Sequence, residues 1–136
     1  MPVPPTARDP ASDGHLAVVD PGAKYEWDLW QARKDGGVRS PSAGAALDMS
    51  GNAVAPAGTA GGDAANLPLL GGIVRPEEIL QGHIDHALVF GMPGVSNQGQ
   101  VCPALHHDGS TADPNQLEEG TRLQLTRSQA WGREGR

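Results

Sequence analysis

The chain has 136 residues, the length of one domain, and 19 glycines and 12 prolines among them point to a small core with long loops. Ten Lys and Arg stand against 16 Asp and Glu, a formal net charge of −6, and the scattered basic residues form no stripe that would follow a phosphate backbone, which argues against a nucleic-acid partner. No apolar run approaches the ~18 residues of a membrane span, and Met1 to Pro5 lacks the basic and apolar regions of a signal peptide.

Residues 1–14 carry Pro2, Pro4, Pro5 and Pro10 with little to bury, and read as a flexible arm. A single β domain is expected over 15–126 and a tail over 127–136, where Trp131 is the one large apolar residue. His15 to Asp20 is a short apolar run stopped by the turn pair Pro21-Gly22, a strand. Lys24 to Arg33 alternates, with Tyr25, Trp27 and Leu29 on one face and Glu26, Asp28 and Trp30 on the other. Its aromatic enrichment and flanking turns favour a strand over a helix. The first face is expected in the core and the second in solvent.

Weaker strands follow at 37–40 and 45–49, split by Pro41. Gly51 to Asn66 is too poor in large side chains to pack a core, and reads as a surface loop. Leu67 to Val74 returns to the core. Arg75 to Gly82 then predicts a short helix: Pro76 suits the first helical position, Glu77 and Glu78 the positive end, and Gly82 the C-terminal cap. Strands are expected at Ile84 to Phe90, at Val101 to Leu105, where Pro103 implies an edge or a bulge, and at Thr121 to Thr126. The sum is an all-β domain, a β-sandwich or jelly-roll-like fold with one short helix at 76–81 and long Gly/Pro-rich loops.

Several stretches carry a family resemblance: Leu67-Pro68-Leu69-Leu70-Gly71-Gly72, Pro76-Glu77-Glu78-Ile79, Gly82 to Leu88, Pro103-Ala104, Asp108-Gly109 and Glu119 to Leu123. With Tyr25-Glu26-Trp27 before them, they make the chain resemble a group of actinobacterial and soil-bacterial secreted or cell-envelope proteins of poorly defined function. The resemblance covers roughly residues 15–126. It implies an extracellular or envelope location, and a C-terminally shortened member that ends at Trp131-Gly-Arg-Glu-Gly-Arg136. His83, His106 and His107 stand outside the family pattern.

Four constellations are candidates for chemistry. Glu26 and Asp28 lie two apart on one strand face, roughly 6.6 Å between Cα atoms, with Trp30 continuing that face. Two carboxyls beside an aromatic platform are what a sugar-binding or glycosidase groove needs; the plainer alternative is a solvated outer face. His83, His86, His106 and His107 include enough imidazole for Zn or Cu, although the spacing matches no helical metal signature; otherwise His86 is a hydrogen-bonded core histidine and His106 and His107 belong to a loop. Asp85, Asp108 and Arg122 form a natural buried ion-paired anchor tying strands together. Cys102, the lone cysteine, reads as a small buried apolar residue rather than a nucleophile.

Two function classes follow. One is an extracytoplasmic carbohydrate-interacting module with Trp30, Asp85, Asp108 and Arg122 at the ligand. The other is a small glycoside hydrolase or His-metal-dependent enzyme, with Glu26, Asp28 and His86 as its catalytic groups, acting on polysaccharide. A structural, self-assembling envelope protein is the third expectation, because a shortened sheet exposes an edge that pairs with other chains.

Overall fold

The computed structural model describes residues 13–56 and 58–125. The expected tail at 127–136 and all but the last two residues of the expected arm at 1–14 lie outside them. The fold is β-rich, with antiparallel ladders and one short helix. Strands β1 (Leu16–Asp20), β2 (Tyr25–Trp30) and β5 (Ala43–Asp48) form one sheet in the order β1-β2-β5, and β3 (Arg33–Asp35) pairs with β4 (Val38–Ser40) as a separate hairpin. The helix α1 spans Pro76–Gln81.

Local chemistry accounts for these boundaries. After β1, Asp20 Oδ1 accepts hydrogen bonds from the N–H groups of Gly22 and Ala23 at 2.9 and 3.0 Å, so the carboxylate closes the turn that Pro21 begins. Gly36 and Gly37, at φ of 52° and 89°, supply the left-handed pair that a two-residue hairpin demands. In α1, Pro76 occupies the first turn and Glu78 Oε2 accepts from the Arg75 N–H at 2.8 Å. Gly82 ends the helix at φ 77° and donates its N–H to the carbonyls of Glu78 and Ile79.

The central strand β2 decides which side of the sheet is the core. Its register places Glu26 between Val19 and Leu47, and Asp28 between Ala17 and Ala45. On the opposite face Trp27 lies between Val18 and Ala46, and Tyr25 between Asp20 and Asp48. Leu47 and Ala45 are 1% and 4% exposed, and Ala55 and Leu105 close over them. The inner face is therefore that of Glu26, Asp28 and Trp30, the reverse of the polarity expected from hydropathy. Tyr25 and Trp27 look outward.

The Gly-rich stretch 51–66 is not a surface excursion either. Ala55 is buried, Asn66 is 4% exposed, and Gly62 comes so close to β2 that a Cβ there would lie 2.6 Å from Asp28 Cβ. Small residues let this backbone approach the sheet where larger ones would stand off. Its polar groups are met locally: the Asn66 amide donates to the Thr59 carbonyl at 2.9 Å, and Asp63 Oδ1 accepts from the Leu67 N–H at 2.9 Å.

The expected strands at 84–90, 101–105 and 121–125 do not form, while Thr126 lies outside the described residues. The backbone there makes scattered bonds, among them Val89 N–H to the Gly72 carbonyl and Leu105 N–H to the Ala65 carbonyl, with isolated bridges Ser96↔Thr111 and Gln100↔Glu119. Alternating hydropathy makes a strand only where a neighbour supplies a ladder, and Pro103 has no N–H to offer one.

Candidate functional site

Glu26 and Asp28 form the most unusual constellation in the molecule. They are 0% and 1% exposed, side by side on the inner face of β2. The chain segment 67–72, a strap, crosses above them. The Leu70 N–H donates to Glu26 Oε1 and the Leu69 N–H to Asp28 Oδ2, each at 2.8 Å. The other oxygen of each carboxyl, Glu26 Oε2 and Asp28 Oδ1, is buried without a hydrogen-bond partner. Among the described residues neither acid forms an ion pair. Burial pushes the Asp28 carboxyl up to about 7; the adjacent Glu26 and the nearby Asp63 add to the rise, and the Leu69 N–H opposes it. Burial likewise raises Asp63, against the N–H bonds of Leu67 and Asn66.

A second cluster surrounds α1. Arg75, Glu78, His83, Asp85 and His86 line an open cleft of about 330 Å³. Glu78 is its anchor: Oε1 accepts from the Arg75 guanidinium at 2.6 Å, and the bond to Arg75 holds the carboxyl down to about 2. His86 Nε2 lies 2.9 Å from the same Oε1 but out of line for a hydrogen bond, and Nδ1 lies 2.9 Å from the Ala87 carbonyl. The proximity therefore acts through charge rather than through a directed bond.

The remaining candidates are dispersed. His83 Nε2 faces Asp85 Oδ2 at 3.3 Å, whereas His106 and His107 sit beside each other with ring centroids 6.3 Å apart. Among the described residues no three His, Cys, Asp or Glu gather where they could hold a metal ion. The buried anchor expected from Asp85, Asp108 and Arg122 does not form. The Asp85 side chain is 87% exposed, and Asp108 and Arg122 are exposed as well. Without strands at 84–90 and 121–125, nothing carries these groups inward. Cys102 is exposed rather than buried.

The outer sheet face has its own character. The Tyr25 and Trp27 rings lie 5.8 Å apart, tilted by 30°, and Tyr25 is 38% exposed. The β5 residues opposite Trp27 and Leu29 are Ala46 and Gly44, too small to cover the rings. Trp30 is on the inner face and half-buried, so it does not stand out as a platform beside solvated acids. Sequence reasoning missed the roles of Asp63 and Arg75, and placed Glu78 at the positive end of the helix without its bonds back to Arg75. For Glu78 a signal was present, since an acid three residues after the start of a helix reaches back to it. Comparison with protein-family models, with curated proteins and with solved structures returned no match.

Proposed function

We propose that this chain is a carbohydrate-interacting β-rich module that takes a glycan on the outer face of the β1-β2-β5 sheet. The tilted Tyr25–Trp27 pair beside the small residues Gly44 and Ala46 carries this reading. Flat apolar rings with a polar rim suit the faces of sugar rings, and Asp20 and Asp48 flank Tyr25 as acceptors for sugar hydroxyls. The proposal is one of binding rather than hydrolysis. Glu26 and Asp28 are sealed beneath the strap, whereas a glycosidase acid and base must reach the bond they cleave. The fuller sandwich or jelly-roll-like architecture and the extracytoplasmic location belong to the same proposal; the first rests on the short strands broken by Gly/Pro turns, the second on the family resemblance.

Retention on a panel of immobilised polysaccharides tests it. Retention of the wild-type chain on at least one glycan, weakened by about tenfold or more in Trp27→Ala, is the expected result, tenfold being ~1.4 kcal/mol of binding. A folded wild-type chain that no glycan retains overturns it.

Self-assembly is a second reading, favoured by a different observation. The adjacent Ile79 and Leu80 are 69% and 88% exposed, and exposed apolar surface that is contiguous marks association surfaces.

A further inference from the structure

The Glu26/Asp28 pair has more structure around it than a chance burial of acids. Both side chains leave β2 on one face, and each gives one oxygen to a strap N–H while keeping the other buried and unpartnered. The neighbouring strands offer only Ala17, Val19, Ala45 and Leu47. The loop contributes a further acid, Asp63, with His15 beyond it, and the strap contributes backbone N–H groups alone. No cation among the described residues offsets two adjacent buried charges. Burying two like carboxyls side by side without a cation disfavours ionising both.

We infer that Glu26 and Asp28 share a single buried proton and act as a proton-operated clasp on the strap 67–72. With the proton in place, the two carboxyls hydrogen-bond each other and hold the Leu69 and Leu70 N–H groups against the sheet. When the proton leaves, each N–H bond to a carboxylate strengthens on its own, but two full charges then lie together without water. Solvating the two unpartnered oxygens requires the packing over the pair to open, and the strap, hydrogen-bonded to both carboxyls, is the element we take to lift. The consequence reaches beyond the strap. The Gly72 carbonyl accepts the Val89 N–H at 2.9 Å, and a Cβ on Gly72 would collide with the Val89 side chain. Three residues further on, Arg75 opens α1 and the cleft. Release of the strap therefore loosens the sheet's hold on the helix and cleft. The clasp stands independently of the glycan reading.

Carboxyl carbon-13 titration of the wild-type chain, followed together with amide hydrogen exchange, tests the clasp. One of the two carboxyls is expected to keep its proton far above the ordinary carboxylate range of about 4. As that proton leaves between about pH 6 and pH 8, exchange at Leu69 and Leu70, corrected for base catalysis, is expected to rise by about tenfold or more relative to Leu47. Asp28→Asn keeps an acceptor for the Leu69 N–H and supplies a permanent donor to Glu26; it is expected to hold that ratio within about twofold over the same range. Ordinary titration of both carboxyls in the wild type, or unchanged Leu69 and Leu70 protection across the range, overturns the inference. The wild-type measurements decide even where the variant does not fold.

Discussion

At the scale of single residues, Asp28 is where burial, hydrogen bonding and charge conflict most sharply. It is 1% exposed, it accepts the Leu69 N–H, and its carboxyl is raised from 3.8 to about 7. Between those two values the folded chain holds a proton that the unfolded chain has lost. Stability from this group is therefore complete below about pH 4 and is lost as pH rises through about 7, a change of a few kcal/mol at ~1.4 kcal/mol per pH unit. Asp28→Ala removes the acceptor as well, and is expected to lower stability by roughly 1–3 kcal/mol at pH 5, because it leaves the Leu69 N–H buried and unpaired. Denaturant unfolding at pH 5 measures the loss. Gly62 is the companion position. A Cβ there would meet Asp28 Cβ at 2.6 Å and its carbonyl carbon at 2.8 Å, so Gly62→Ala is expected to cost roughly 1–3 kcal/mol in the same measurement.

At the scale of elements, α1 shows how little a short helix can rely on its own length. Six residues, Pro76–Gln81, are far below what is stable alone, and Ile79 and Leu80 are exposed rather than packed. The helix is held by its ends: the reach of Glu78 back to Arg75 and the left-handed turn at Gly82. The Glu78 carboxyl is depressed from 4.5 to about 2, chiefly by Arg75, so its contribution has the opposite pH sense to that of Asp28. It is present above about pH 4.5 and lost as pH falls towards 2. Glu78→Gln is expected to flatten the acid side of the stability profile. Helix-resolved hydrogen exchange at pH 5 is expected to show faster opening of 76–82 in this variant, with β2 unaffected. Equal opening of both would place the bond outside the helix cap.

At the scale of the whole molecule, the two carboxyl systems set the limits of one stability curve. Glu78 removes stability on the acid side and Asp28 on the alkaline side, so the denaturation midpoint is expected to peak at about pH 4 to 4.5 rather than at neutrality. A profile that climbs steadily from pH 5 to pH 8 would contradict this. Association is the second consequence. Among the described residues neither outer edge of β1 nor that of β5 carries another strand. Leu80 and Phe90 also add exposed apolar surface elsewhere. Both features promote pairing between copies. Sedimentation at tens of micromolar is expected to show species larger than the monomer, and Phe90→Glu with Leu80→Lys is expected to reduce them.

Much of the first half of the fold, and the helix that follows it, is legible in the sequence alone. Turn pairs at Pro21-Gly22 and Gly36-Gly37, alternation over Tyr25–Trp30, and the Pro76, Glu78 and Gly82 punctuation of the helix all act within a few residues. Local sterics and hydrogen bonding are sufficient to specify them. The alternation also groups Glu26, Asp28 and Trp30 on one face, yet it does not say which face is buried. Hydropathy assigns the acids to water. The tertiary structure reverses this, because a strap 41 and 44 residues away in sequence brings two backbone N–H groups to them. It also draws a Gly-rich loop against the sheet and leaves the apolar runs at 84–90 and 121–125 without strand partners. Burial of an acid and pairing of a strand both depend on what another part of the chain supplies, and that decision lies in packing rather than in local pattern.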